Sequence, residues 1–340
     1  MCNHKRSENG FRNAYPAARV GRSMTPDVLT LGETMVLFSP DEPGPTKHQQ
    51  TFKKSLGGAE SNVAIALSRL GNDVTWHSTL GADPHGKYVN SFVRGEGVDT
   101  STVEFTNDAP TGIMFKERRA FGETSVYYYR HGSAASTMTP DDLPADAIAE
   151  ADYFHLTGIT PALSDSCREA TLAAVERARE ADVTVSFDPN IRYKLWGSDE
   201  EMRRTLLALV EKSDIVLPGI EEGRTLFDAG TPDEIANACR DRGAAIAVVK
   251  LGAEGALVDD GEVTRVPGYK VERVVDPIGA GDGFAAGFLD GRLHGLGAVE
   301  ATKRANAVGA FATTVTGDVE GLPTERELDV FLGEREALQR

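Results

Sequence analysis

Residues 276–284 read Asp276-Pro277-Ile278-Gly279-Ala280-Gly281-Asp282-Gly283-Phe284. Val274 and Val275 before them predict the end of an apolar, β-branched strand, and Phe284, Phe288 and Leu289 after them give an apolar stripe at helical spacing. The stretch reads as a strand that breaks through small residues into a helix, with the helical pattern taking over from Gly283. A helix start presents N–H groups without acceptors at the positive end of the helix dipole. Gly279, Ala280 and Gly281 add almost no side-chain bulk there, so an anion can reach those donors. Asp282 puts a carboxylate at the mouth of the same site. Two readings follow. Asp is a preferred N-cap residue and glycine is ordinary turn punctuation. Alternatively, Asp282 takes the proton of a hydroxyl while the glycine amides hold the phosphoryl group that the hydroxyl attacks. Phosphoryl transfer asks a protein for little beyond such positioning and charge stabilisation.

Outward from this stretch the chain alternates. Strand patterns fall at 152–156, 183–187, 214–217 and 245–249, with helical patterns at 167–180, 199–212 and 232–242 between them. Two short β segments lie within 255–275, and further helices are predicted at about 298–315 and 324–332. The fold class expected is α/β, a doubly wound and mainly parallel sheet with helices on both faces. Nearer the start, Val28 to Leu31 reads as a buried strand. Gly57-Gly58 opens a helix in which Val63, Ala66, Leu67 and Leu70 recur at helical spacing, and Gly71 ends it. Val74 to Leu80 is the next strand and Tyr88 to Arg94 a helix. Ile113 to Arg118, a Phe121-Gly122-Glu123 turn and Ser125 to Arg130 predict a β-hairpin. Period two puts Val126, Tyr128 and Arg130 on one face and Tyr127 and Tyr129 on the other. Such a hairpin suggests a small sheet standing off the main domain. Residues 1–24 read as a disordered extension, 25–333 as the folded domain and 334–340 as a tail.

The formal net charge is −16, which argues against non-specific binding to nucleic acid or an anionic membrane. The basic residues lean to Arg. A salt-adapted surface and a simply acidic soluble enzyme both fit. Cys2, Cys167 and Cys239 are widely spaced with no CxxC pair, and the seven His residues show no metal-ligand spacing. A reduced, cytoplasmic chain without disulfides or a zinc site is expected. No apolar run approaches the ~20 residues of a membrane span, and the first residues lack the apolar centre of a signal peptide.

Four other stretches carry chemistry. Gly57-Gly58 followed by Asn62 is either a helix entry or a place where a polyhydroxylated ligand nears the backbone and Asn62 bonds a hydroxyl. Asp188-Pro189-Asn190-Ile191-Arg192 follows a parallel strand, where ligands of open α/β sheets bind; Asp-Pro-Asn is also an ordinary turn, so Arg192 is the informative residue. Lys250-Leu251-Gly252-Ala253-Glu254-Gly255 makes a tight loop suited to a nucleotide's phosphates or ribose. Glu221 and Glu222 are first-turn helix acids, or one of them holds Mg²⁺ through water. No G-x-x-x-x-G-K-[ST] segment exists, and no G-x-G-x-x-G follows the first strand. Those absences argue against a P-loop enzyme and a dinucleotide-binding oxidoreductase.

Taken together, Gly57-Gly58…Asn62, Asp188-Pro189-Asn190, Lys250…Gly252…Gly255 and Gly279-Ala280-Gly281-Asp282 resemble the ribokinase-like (PfkB) family of carbohydrate kinases, in matching order from about residue 27 to 333. The resemblance implies a small β-sheet lid, here around 33–56 and 110–131, and ATP and Mg²⁺ as co-substrates. It implies Asp282 as general base, the amides of Gly279 to Gly281 as anion hole, and Lys250, Gly252, Gly255 and Asn306 at the nucleotide. Within the family, Tyr127-Tyr128-Tyr129-Arg130 with Asp188 to Arg192 is similar to 2-keto-3-deoxygluconate kinases. Arg192, Arg130 and Tyr128 would then hold the acid end of the sugar, and Gly58 and Asn62 its hydroxyls. Two departures stand out. Gly219 occupies the family's Asn position before Glu222, which weakens the Mg²⁺ assignment. Pro277-Ile278 replaces the common Thr-Thr, beside Asp276 and the Ile278 carbonyl where some relatives bind a monovalent cation such as K⁺. The alternatives are a kinase of fructose, ribose or a fructose phosphate, and a non-catalytic sugar-binding protein. Self-association through the lid edge is a further expectation.

Overall fold

The computed structural model describes residues 25–117 and 125–336. The expected extension at 1–24, the hairpin turn at Phe121-Gly122-Glu123 and the last residues of the tail lie outside these. The chain enters with β1 (Val28–Leu31), β2 (Met35–Pro40), β3 (Phe52–Gly57) and α1 (Ala59–Arg69). Then come β4 (Val74–His77), β5 (Thr79–Gly81), α2 (Pro84–Gly95), β6 (Glu104–Thr106), β7 (Ile113–Glu117) and β8 (Ser125–Tyr129). The regular alternation follows: α3 (Ala145–Glu150), β9 (Tyr153–Thr157), α4 (Asp165–Glu180), β10 (Thr184–Asp188), α5 (Asp199–Val210) and β11 (Ile215–Val216). It continues through α6 (Ile220–Phe227), α7 (Pro232–Arg240), β12 (Ile246–Lys250), β13 (Gly255–Asp259) and β14 (Val263–Pro267). The chain closes with α8 (Ala280–Leu293), α9 (Ala298–Ala312) and α10 (Glu325–Leu332).

Eight strands form one sheet in the order β14-β13-β12-β11-β10-β9-β1-β4. Its pairings are parallel except at the β12-β13-β14 edge, where short loops reverse the chain. Side chains alternate between two apolar layers, as the strand period requires. Val28 and Val248 pack with α1, α8 and α9; Leu29, Val185 and Val249 pack with α4, α5 and α7. α8 and α9 approach closely, because a Cβ at Gly287 or Gly291 would lie only 2.9 or 2.8 Å from the Cα of Ala305 or Ala301. A second sheet, β3-β2-β7-β8, forms the lid expected from the hairpin. Its own core is small: Met35, Leu37 and Met114, with Val126 against them.

Three local expectations are corrected. Val274 and Val275 are not in a strand; they are 57% and 41% exposed, in irregular chain tied by the Val275 N–H to the Thr313 carbonyl at 2.8 Å. β-branched residues make strands only where an edge and a packed face receive them, and here the chain has left the sheet at Pro267. The helix begins at Ala280 rather than Gly283, with Gly279 as its N-cap in the left-handed region at φ 80°. Val74 to Leu80 is two strands broken at Ser78: β4 joins the main sheet, whereas β5 pairs with β6.

Candidate active site

Asp282 occupies the first turn of α8, and Asn62 the first turn of α1. The two helices meet so that Asn62 Nδ2 donates to Asp282 Oδ2 at 2.7 Å, 220 residues apart in sequence. Asn62 Oδ1 is buried without a protein partner, an acceptor waiting for a donor. Asp282 is only 9% exposed but lines a cavity of about 560 Å³. Burial pushes its carboxyl up to about 6, with Asp188 adding repulsion, while the Asn62 hydrogen bond, Arg192 and Lys250 oppose the rise. A carboxylate with that pKa is ionised at neutral pH and basic enough to take a proton.

The turn expected to form an anion hole is set by the backbone of Gly279. A Cβ there would lie 2.4 Å from the Asp318 carbonyl, and φ is +80°, so only glycine turns the chain into α8 at this point. The amides of Gly281 and Asp282 fall among the helix-start donors without intrahelical acceptors. The Ala280 amide leans toward the Pro277 carbonyl at 3.4 Å, a long contact. Lys250, expected at a nucleotide loop, brings its ammonium beside this turn, 3.8 Å from where a Cβ of Gly281 would be. It donates to Asp188 Oδ2 at 2.6 Å. Burial alone would lower the Lys250 pKa, but Asp188 and Glu222 outweigh it and hold the ammonium charged.

The residues expected at the sugar also converge. Gly57, Gly58, Tyr128, Arg130 and Arg192 all line the cavity. Gly58 is required by the protein's own packing too, since a Cβ would strike the Glu33 carbonyl at 2.4 Å. Arg130 is not free: its Nε and Nη2 reach Glu33 Oε2 at 2.6 and 2.5 Å, and Ser133 Oγ donates to Glu33 Oε1 at 2.5 Å. Arg192 is exposed at the cavity wall with no ion pair recorded among the described residues. Glu222 uses one oxygen for the Ile191 N–H at 2.8 Å and the other for the Gly219 N–H at 2.7 Å. It caps α6 and fixes the Arg192 loop, and its carboxylate still faces the cavity.

The other expected nucleotide residues lie elsewhere. Gly252, Gly255 and Asn306 do not line this cavity; Gly255 and Asn306 cluster beside the end of β14. A Cβ at Gly255 would lie 2.2 Å from the Val266 carbonyl. Asn306 Nδ2 donates to the Val266 and Pro267 carbonyls at 3.3 and 3.1 Å, so this amide holds the strand end. Asp276 is buried against Lys116, whose Nζ donates to its Oδ2 at 2.5 Å.

Three cavity residues escaped sequence reasoning, Glu33, Lys116 and Asp318, and so did the buried acid Glu60. Glu60 Oε1 accepts from the Thr157 and Thr160 hydroxyls at 2.7 and 3.0 Å, while Oε2 is buried without a partner. Burial pushes Glu60 up to about 7 against those two bonds. Asp318 is likewise pushed up to about 7 by burial, with Lys116 opposing and Asp282 and Asp276 reinforcing the shift. Glu60 sits inside the Gly57-Gly58…Asn62 stretch, behind the cavity wall, whereas Asp318 stands in no motif and only the fold brings it to the cavity.

Among the described residues no group of three or more His, Cys, Asp or Glu is arranged to hold a metal ion, and no helix is long and apolar enough to cross a membrane. Residues 25–325 match the pfkB family carbohydrate kinase model. The chain is 42% identical over 308 residues to the 2-dehydro-3-deoxygluconokinase of Bacillus subtilis strain 168, covering 90% of this chain and 95% of that one. Its structure resembles that of a PfkB protein from Polaromonas sp. JS666, with TM-score 0.83, 43% identity and coverage of 90% and 99%. It also resembles a fructokinase double mutant from Vibrio cholerae O395 solved with fructose, ADP and potassium ion, with TM-score 0.81, 30% identity and coverage of 92% and 100%. The Asp282 turn, the lid and these matches agree: the chain belongs to the pfkB family of carbohydrate kinases and is a sugar kinase.

Proposed function

We propose that this sugar kinase transfers the γ-phosphoryl group of ATP to the terminal 6-hydroxyl of 2-keto-3-deoxygluconate. The observation that carries the reading is the Asp282 carboxylate, hydrogen-bonded by Asn62 and facing a cavity beside the bare amides of the α8 start. Asp282 takes the hydroxyl proton as the oxygen attacks phosphorus. The amides at Gly279 to Gly281 and the Lys250 ammonium meet the charge on the transferred group. The proton on Asp282 then leaves with the product or to water. Lys250, Gly252, Gly255 and Asn306 define the nucleotide side, Gly252 in the turn after β12 and the last two by shaping the β13–β14 border.

The acid end of the sugar is assigned to Arg192, with Tyr128 and Arg130 beside it. Arg192 brings an unspent guanidinium to the cavity, and a planar fork suits a carboxylate. Arg130 contributes through the face left over from its pair with Glu33. The similarity to the Bacillus subtilis enzyme supports the acid substrate, and the fructose-bound relative supports the alternative of a neutral sugar.

The donor set fits Mg²⁺ that arrives on the nucleotide, because Mg²⁺ uses one or two carboxylates plus phosphates and waters. Glu222 would reach it through water, and the ion would neutralise phosphate charge. The reading also places the enzyme in the cytoplasm. Tyr127 and Tyr129, exposed on the lid's outer face, support self-association there, which sedimentation velocity would test.

A coupled ADP-release assay across 2-keto-3-deoxygluconate, its galactonate epimer, fructose and ribose tests the substrate. The acid sugars should give the highest kcat/KM. A higher value for fructose or ribose would replace the acid-sugar reading with the neutral-sugar one.

A further inference from the structure

Lys116 stands on lid strand β7, yet its ammonium lies under the anion-hole loop of the main domain. It and Asp276 are 2% and 6% exposed, and the Nζ to Oδ2 distance is 2.5 Å. Asp276 is also bound into that loop. Its Oδ1 accepts the Ile278 N–H at 3.3 Å, and its own N–H donates to the Thr313 carbonyl at 3.3 Å. The pair therefore connects the lid to the residues immediately before Gly279. A second carboxyl, Asp318, shares the enclosure: one of its oxygens lies 2.5 Å from where a Cβ of Gly57 would be, and it lines the cavity with Lys116. Lys116 is the counter-charge opposing the shift of Asp318, whereas Asp276 and Asp282 both reinforce it. An ammonium this little exposed is held by neighbouring acids rather than by water.

This is where the family resemblance puts a monovalent cation, and the Vibrio cholerae relative was solved with potassium. The residues here do not fit that ion at the Asp276 carboxylate. Oδ2 already carries an ammonium, Oδ1 is turned to the Ile278 amide, and a second cation would meet a like charge at contact distance.

We infer that Lys116 is a built-in cation and positioning residue: its ammonium, delivered by the lid, fixes Asp276 and the anion-hole loop, and phosphoryl transfer by this enzyme needs no potassium. The inference rests on the reading of the Asp282 turn as the phosphoryl site, but not on which sugar is used.

The direct test titrates KCl against choline chloride at matched ionic strength, using whichever sugar of the panel is turned over. Wild-type kcat should stay within about twofold, where a lost positioning interaction would cost ~10²-fold; stimulation of tenfold or more by K⁺ overturns the inference. Lys116→Met should lower kcat by roughly 10²-fold in choline, with KM for the sugar changed far less. K⁺ or methylammonium should restore a large part of the loss. Wild-type turnover by Lys116→Met in choline also overturns it. If that variant fails to fold, Lys116→Met with Asp276→Asn removes both charges together; it should fold, turn over slowly and show no rescue by K⁺. Full activity of the double variant refutes the positioning role. Were no sugar of the panel phosphorylated, calorimetry of Mg–ADP binding to the wild type would still decide the matter. Equal affinity in the two salts supports a built-in cation, and K⁺-dependent tightening refutes it, leaving the substrate assignment to fail separately.

Discussion

The two walls of the cavity are built differently. The main-sheet wall carries Asp282, Asn62 and Lys250 on helix starts and strand ends that are anchored in two extensive apolar layers. The lid wall carries Tyr128, Arg130 and Lys116 on a four-stranded sheet whose own core is Met35, Leu37 and Met114 with Val126 beside them. A sheet that small has little apolar area to fix it. What secures it instead are buried ion pairs at its ends, Arg130 with Glu33 and Lys116 with Asp276. In the proposed reaction the groups that handle the phosphoryl sit on the main-sheet wall, the rigid one. In the same proposal the lid brings recognition, where low local stability is useful.

The largest expected effect strikes the rigid wall. Asp282→Asn keeps the shape and the Asn62 contact but removes the base, so kcat should fall by roughly 10²–10⁴. Circular dichroism should be unchanged and Tm at neutral pH no lower than wild type, since Asn cannot ionise and escapes the burial penalty that raises the Asp282 pKa. Full turnover by this variant would make the two walls equivalent in their dispensability and end the base assignment.

The next contrast separates the two arginines. Arg192→Ala should lower kcat/KM for the acid sugar by about 10- to 10²-fold, the worth of one or two charge-assisted hydrogen bonds. Activity on a neutral sugar should be spared. Arg130→Ala should act mainly on stability, because it strands the buried Glu33 carboxylate; breaking such a pair costs ~3–5 kcal/mol. Denaturant midpoints read the second effect and kinetics the first. If Arg192→Ala left acid-sugar kinetics intact, the neutral-sugar reading would gain.

This division also explains what could be read from sequence. The Asp282 turn, Gly57-Gly58 with Asn62 and the alternating α/β pattern are local signals, because helix starts and strand periods are set by neighbours in the chain. The lid hairpin was legible for the same reason, down to which face carries Tyr128 and Arg130. The ion pairs were not. Lys116 meets Asp276 across 160 residues and Arg130 meets Glu33 across 97, and no spacing rule joins such partners. Arg130 therefore read as a free substrate clamp, although Glu33 holds it. Val274 and Val275 misled in the opposite way, since their β-branching is a local preference that no neighbouring edge takes up.

The pH profile makes a smaller but sharper comparison. With the Asp282 carboxyl at about 6, kcat/KM should be flat at neutral pH. It should fall tenfold per unit well below pH 6, as the base becomes protonated. Arg192 helps keep Asp282 ionised, so Arg192→Ala should move this limb to higher pH as well as lowering the plateau. Arg130, neutralised by Glu33, should not move it. A limb that stays put in Arg192→Ala would mean the guanidinium does not act on Asp282.

The smallest effect on turnover is expected at Glu60, which lies behind the rigid wall and touches no substrate group. Its folded-state pKa is about 7 against an ordinary 4.5. Between these values the folded protein binds a proton that the unfolded chain has released, so stability declines as pH rises through the window. Below it both states are protonated and the penalty vanishes. Glu60→Gln keeps an Oε1 acceptor for the Thr157 and Thr160 hydroxyls but cannot ionise. The variant should match wild type near pH 4.5 and exceed it above pH 7, by up to roughly 3 kcal/mol from the 1.36 kcal/mol carried by each pKa unit. Asp282 and Asp318 titrate in both proteins, so the difference between the two denaturation curves isolates Glu60. Equal stability above pH 7 would show that Glu60 ionises in the fold without penalty, and that the wall behind Asp282 is wetter than its burial implies.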